Sequence, residues 1–253
     1  MGFGAHLADA GFDVWIPELR GHGLSPKGNR FSRITAEAQI RHDLPAIERL
    51  VRETNGRPLF WVGHSFGGMF ILAAFAAGAV GQDNVAGLVT FGSQISKGDV
   101  YLKIPPVAWA AKTALKLLGY FPAPAMGLGP EVESAGTMIE IIRWKQLGGR
   151  WTDSRGFSYW DGLAAVTVPI LGLAAAADKN DPPEGCRMTL DRMGSRDKTF
   201  VLLGKSDGFA IDYDHVGMVV GKTAVTEVWP RVTDWMEARV IASSLREPSQ
   251  GRF

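Results

Sequence analysis

Residues 58–68, PLFWVGHSFGG, constrain the fold of this chain more than any other stretch. A short apolar run, residues 59–62, leads without a linker into Gly63-His64-Ser65-Phe66-Gly67, and an apolar run suited to a helix, residues 69–80, follows at once. A strand that passes through G-x-S-x-G into a helix makes a sharp turn with its serine at the tip. The turn is strained, so Gly63 and Gly67, two positions before and after Ser65, are expected to be glycines because a side chain would collide there. The serine oxygen then stands above the sheet. The first amides of the helix point at the same place, ready for a developing oxyanion, with the Phe66 N–H as the candidate donor.

The rest of the chain supplies a setting for such a turn. Strand patterns fall at residues 12–17 (FDVWIP), 59–62, 85–91 (VAGLVTF), 168–175 (VPILGLAA) and 199–203 (TFVLL). Between them lie helical patterns at 3–10, 35–54, 69–80 and 184–192, and a closing amphipathic helix at 223–238. Pro45 either kinks the second of these or starts a new helix. Strands alternating with helices predict an α/β fold, a mostly parallel central sheet flanked by helices. The pattern breaks over residues 95–160, where strand signals vanish, and Trp109, Trp144, Trp151 and Trp160 sit among prolines and further aromatics. Helices at 107–118 and 134–147 around a proline- and glycine-rich joint, 121–130, read as an inserted helical cap. Its tryptophans either wall an apolar pocket or pack the cap onto the body. The expected organisation is a core of residues 1–94 and 161–253 with the cap, 95–160, between its two parts.

Bulk properties exclude several functions. With 46% hydrophobic and 21% charged residues the chain is not disordered, and its 253 residues suffice for one full core. A net charge of +1 with dispersed Lys and Arg gives no case for a nucleic-acid partner. Cys186 is the one cysteine, which allows no internal disulfide and fits a reducing, cytoplasmic compartment; no Cys/His cluster has metal spacing, and no cofactor is expected. No run approaches the roughly 18 apolar residues of a spanning helix, so no integral membrane segment is expected.

A serine nucleophile needs a neighbouring base, itself oriented by a carboxylate. The histidines are His6, His22, His42, His64 and His215. His215 alone follows the last strand pattern, in a loop able to bring its ring over the sheet, whereas His64, beside Ser65 in a tight turn, is expected to point away from it. For the acid, Asp178 and Asp181 both follow the 168–175 strand; Asp178, at the first loop position, keeps its carboxylate nearer the strand end. Ser65, Asp178 and His215 all fall at carboxyl ends of strands, where ligands of such sheets bind.

Four segments carry a resemblance over essentially the whole length: GFDVWIPELRGHGLS, DLPAIERLVRETNGRPLFWVGHSFGG, VPILGLAAAADKNDPPE and DHVGMVVGKTAVTEVWPRVTDW. The sequence resembles an α/β-hydrolase of the lipase, esterase and lysophospholipase-like type. The resemblance implies Ser65 as nucleophile, Asp178 as acid and His215 as base, with Gly21-His22-Gly23 a structural loop. It implies a small-molecule ester as substrate, cleaved through an acyl-enzyme; a non-catalytic protein binding a hydrophobic ligand or a partner through the cap is the alternative. One departure stands out. The family has further strands and a His-Gly loop, donor of a second oxyanion amide, before the helix that here begins within a few residues of Met1. The expectation is that translation starts upstream, and that the chain as written is poorly soluble and weakly active. The strands at 12–17 and 59–62 must then either close the gap or leave buried edges unpaired.

Overall fold

The computed structural model describes residues 2–97, 100–126 and 129–244. Along the chain, α1 (Phe3–Asp9) is followed by a long irregular segment and a single turn, α2 (Ala36–Ala38). Then come α3 (Leu44–Asn55), β1 (Leu59–His64), α4 (Phe66–Ala76) and β2 (Val85–Phe91). The stretch between β2 and the next sheet strand holds α5 (Pro105–Leu118), β3 (Tyr120–Phe121), β4 (Glu133–Ser134), α6 (Ala135–Lys145) and α7 (Tyr159–Gly162). The chain returns to the sheet with β5 (Ile170–Ala175), α8 (Pro183–Arg192) and β6 (Lys198–Leu203), and closes with α9 (Gly217–Val220), α10 (Ala224–Glu227) and α11 (Trp229–Ser244).

The main sheet is parallel throughout, in the order β1-β2-β5-β6. Its burial follows from that order. The central strands β2 and β5 are covered on both faces and read as nearly unbroken apolar runs, while β1 and β6 at the edges are only partly buried. Side-chain alternation then divides the core in two. Trp61, Leu88 and Ile170 face the layer of α3, α4 and α8, and Val89, Phe91, Leu171 and Leu173 face that of α1, α10 and α11. Trp235 of α11 lies so close over β2 that a methyl at Gly87 would stand 2.6 Å from its ring.

Two prolines decide where helices begin. The pattern at 35–54 is not one helix: a π-helical turn, Gln39–Asp43, separates α2 from α3, and Pro45 sits in the first turn of α3. A proline has no N–H to give to the preceding turn, so the hydrogen-bond ladder restarts there. The closing helix is split in the same way, between α10 and α11, with Pro230 second in α11.

Residues 12–17 correct the sequence reading, for they form no strand. They keep the alternation of one only over residues 12–15, with Phe12 and Val14 turned toward the α1–α11 core, and lose it at Ile16, which is exposed like Trp15. What they lack is a partner. A cavity of about 840 Å³ opens between them and β1, lined by Phe12, Val14 and Ile16 and by Phe60, Val62 and His64, and the Phe12 and Phe60 rings meet edge to face, centroids 6.0 Å apart. Strands must lie about 4.8 Å apart to hydrogen-bond, and this gap keeps the two segments beyond that reach.

Residues 95–160 pack as a separate layer in part. α5 and α6 enclose a small cluster of Leu102, Ala108, Leu115, Ala135 and Ile142, and β3 and β4 form a short antiparallel ladder that the sequence did not signal. Trp144, Trp151 and Tyr159 pack edge to face and merge with the core beneath α4, so these two tryptophans are packing residues; Trp109 is exposed.

The edge position of β1 has a measurable consequence. Leu59 and Ser65 donate their N–H groups toward β2, to Asn84 and Phe91 (2.9 and 2.8 Å), so by alternation those of Phe60, Val62 and His64 point away from β2 into the cavity. In amide hydrogen exchange, Trp61 and Gly63 are expected to be protected and Phe60, Val62 and His64 to exchange much faster. Equal protection along β1 would show that its outer edge is paired.

Candidate active site

The turn after β1 is held by backbone crowding. Ser65 has φ 53° and ψ −124°, and among the described residues it alone of the non-glycines has a positive φ. A Cβ on Gly63 would lie 2.5 Å from the Gly68 nitrogen, and one on Gly68 would lie 2.1 Å from Ser93 Oγ. A Cβ on Gly67 would meet nothing within 4 Å. The crowded pair is therefore Gly63 and Gly68, a correction to the expectation for Gly67. Strand and helix cross backbone to backbone at these two residues, and Ser65 between them has to take the left-handed side of φ to turn the corner. The Ser65 N–H bonds to the Phe91 carbonyl (2.8 Å), tying the turn to the end of β2, and its carbonyl accepts from Met69 (3.1 Å), starting α4. Phe66 is the first residue of α4, where a backbone N–H has no acceptor in its own helix.

Asp178 is placed by the end of β5. Its N–H bonds to Ala175 O (3.1 Å), and the neighbouring Ala177 N–H bonds to Tyr213 O (2.8 Å), which draws the loop carrying His215 alongside. Asp178 Oδ1 accepts the N–H groups of Asn180 and Asp181, both at 2.9 Å. The other oxygen, Oδ2, lies 2.6 Å from His215 Nδ1, with the Asp178 side chain out of solvent. His215 follows β6 in a loop where Asp214 Oδ1 accepts the Gly217 N–H (2.6 Å). Asp181 lies near the other ring nitrogen, at 3.8 Å from Nε2.

Two contributors were not legible in the sequence. His64 donates from Nε2 to the His215 carbonyl (2.7 Å), and the two rings are 4.6 Å apart, so the residue beside the serine supports the backbone of the base. Gly92, just past β2 at φ 52°, lies under the Asp178–His215 pair: a Cβ there would be 3.2 Å from both Asp178 Oδ2 and His215 Nδ1 and 2.5 Å from Met218 Cε. A glycine at a strand's carboxyl end was the one available signal, and it does not say what lies above it.

Burial opposes protonation of His215, but the hydrogen bond to Asp178, its charge and that of Asp181 outweigh it, so the imidazole pKa lies above its ordinary value. For His64, burial and then the charge of His215 push the pKa down, which keeps that ring neutral. The Ser65 hydroxyl has no hydrogen bond among the described residues. Phe66 stacks on Phe70 (centroids 6.3 Å apart), and both line a second cavity of about 270 Å³ beside the turn. Among the described residues no group of three or more His, Cys, Asp or Glu side chains is placed to hold a metal ion, and no helix is long and apolar enough to cross a membrane.

Comparison with known proteins bears on fold and family. The family model described as serine aminopeptidase, S33, matches residues 1–136. Over 78 residues, 28% of this chain, the sequence is 36% identical to a tear acid lipase-like protein of Mesocricetus auratus and to the gastric triacylglycerol lipase of Homo sapiens. Each match spans 20% of the relative's length. A monoacylglycerol lipase of Paleococcus ferrophilus superposes with a TM-score of 0.63 at 20% identity, covering 94% of this chain and 88% of that one. A soluble variant of monoglyceride lipase from Saccharomyces cerevisiae gives 0.60 at 19% identity, covering 88% and 76%. The shared architecture is the α/β-hydrolase fold.

The crowding at the turn separates two glycines, Gly63 and Gly67, that the motif alone makes equivalent. Gly63→Ala is expected to lower stability by about 1–3 kcal/mol through overpacking against backbone, and Gly67→Ala by less than about 1 kcal/mol. Urea melts of the two variants test this, and equal losses would contradict it.

Proposed function

This chain belongs to the serine aminopeptidase S33 family, which matches more than half of it, and on that premise we propose that it is a carboxylic-ester hydrolase using Ser65, His215 and Asp178. The observation that carries the reading is the 2.6 Å bond between His215 Nδ1 and the buried Asp178 carboxylate, set beside a strained serine at the mouth of a helix. Asp178 accepts a hydrogen bond from Nδ1–H, which fixes the tautomer that leaves the Nε2 lone pair free to act as a base. Ser65 Oγ attacks the acyl carbonyl while Nε2 takes its proton, and the resulting imidazolium is stabilised by Asp178. The tetrahedral oxyanion receives the Phe66 N–H at the start of α4. The same proton then passes from Nε2 to the departing alcohol. Water enters, gives a proton to Nε2 and attacks the acyl carbonyl; as the bond to Ser65 Oγ breaks, Nε2 returns that proton to Oγ, and the acid leaves with Ser65 restored. Because the Ser65 hydroxyl is unpaired among the described residues, the Ser65–His215 contact tightens only as substrate binds in this reading.

Esters are favoured over peptides by the lipase names of the similar proteins. Kinetics with matched p-nitrophenyl acyl esters and aminoacyl anilides test this choice; cleavage of the anilides alone would reverse it.

Ser65→Ala is expected to abolish ester turnover, on the order of 10⁶-fold, and to remove labelling by a fluorophosphonate probe while the fold persists by circular dichroism. Asp178→Asn should lower turnover by about 10³–10⁴. Retention of most activity by Ser65→Ala would end the assignment. The neutral imidazole is the base, so a pKa above the ordinary value means that kcat/KM falls as pH drops through a midpoint above the usual 6.5. A pH profile that stays flat well below 6.5 would exclude His215 as that base.

A further inference from the structure

The imidazole of His215 stands between two carboxylates. Nδ1 is bonded to Asp178 Oδ2 at 2.6 Å, and Nε2 faces Asp181 Oδ2 at 3.8 Å. The second carboxylate is held by side chains of its own. Asp181 is buried, and its Oδ1 accepts Gln94 Nε2 at 2.7 Å and lies 3.9 Å from Lys145 Nζ. Gln94 cannot turn its amide around, because its Oε1 already accepts the Lys97 N–H at 2.7 Å. Gly185 of α8 leaves room for it; a Cβ there would lie 2.4 Å from that oxygen. Asp181 precedes α8, yet its carboxylate turns toward Gln94, Lys145 and His215 and takes no backbone N–H of α8 among the described residues. Burial raises its pKa, and the charges of Lys145 and His215, with the Gln94 hydrogen bond, offset only part of that rise, so the carboxyl stays above its ordinary range.

We propose that Asp181, gripped by Gln94 from the end of β2 and by Lys145 from α6, is a positioning residue that sets the proton affinity of His215 from the Nε2 side. This rests on the reading of His215 as the base. Nε2 is the nitrogen that takes the serine proton, so a carboxylate facing it favours the imidazolium that forms and the ring orientation that presents Nε2. Lys145 acts in the opposite sense, because its charge offsets that of Asp181. The charged and titratable groups facing His215 are Asp178 and Asp181 from the loop after β5, Lys145 from α6, and His64 from the end of β1, which is held neutral. Lys145 belongs to the stretch between β2 and β5, so a movement of α6 changes the base without touching Asp178.

The test is an NMR titration of the His215 ring in the full chain, paired with the pH profile of kcat/KM on one ester. Asp181→Asn should move the His215 midpoint down by about one pH unit, and Lys145→Met should move it up. Asp181→Glu should return it toward the parent value. On the high-pH plateau Asp181→Asn should cost no more than about tenfold in kcat, far less than Asp178→Asn. The titration needs no turnover, so it reads this proposal even if Ser65→Ala were to leave hydrolysis intact and the hydrolase reading fell. Midpoints that stay put in both Asp181→Asn and Lys145→Met, that move in only one of them, or that move in the same direction overturn it. Lys145→Met keeps the proposal testable if Asp181→Asn does not fold.

Discussion

The turn that carries the serine rests on a close approach of backbone against backbone. Gly63 at the end of β1 and Gly68 in the first turn of α4 touch with no room for a side chain, and Ser65 between them is bent to φ 53°. A residue held in that region costs of order 1–3 kcal/mol, and it persists only where its surroundings over-determine it. Here they do. The Ser65 N–H is fixed to β2, and α4 runs from the turn with nearly all its residues buried between the sheet and the layer of Trp144, Trp151 and Tyr159. The strain is thus borne by a buried helix and the neighbouring strand.

The opposite side of the site depends on the same sheet. β2, β5 and β6 end side by side, and from those ends come Gly92 and Gln94, Asp178 and Asp181, and the loop of His215. Buried polar groups destabilise a fold unless each finds a partner. The group is satisfied internally: Asp178 by two backbone amides and His215, Asp181 by Gln94 and Lys145, and the His215 carbonyl by His64. Geometry this tightly shared explains why a missing Cβ at Gly92 matters as much as the charged side chains above it.

The outer edge of β1 contrasts with this order. The strand that carries the serine has one hydrogen-bonded neighbour, and beyond it lies a cavity of about 840 Å³, lined on its far side by a strand-like segment without a ladder. The rigid half of the site is therefore the side of Asp178 and His215, and the nucleophile is anchored through the β2 bond and α4.

The parallel strands at 59–64, 85–91, 170–175 and 198–203, the helices between them and the strand–serine–helix turn were legible in the sequence, because each is written in local hydrophobic period and in glycine placement. The sequence also put Ser65, Asp178 and His215 at strand ends, which gather on one side of such a sheet, and the structure brings Asp178 and His215 within 2.6 Å of each other. Residues 12–17 have the same local pattern as the true strands and are not one, because a strand is defined by a neighbour about 4.8 Å away and no local pattern encodes that neighbour. The exchange of Gly67 for Gly68 as the crowded position has a similar cause: collisions depend on where Ser93 stands, 25 positions along the chain from Gly68. His64 beneath His215, Gly92 beneath the acid–base pair, and Lys145 against Asp181 are contacts between segments remote in sequence. Their chemistry depends on separations of a few ångströms, and only the packed sheet, with its helices in place, sets those distances.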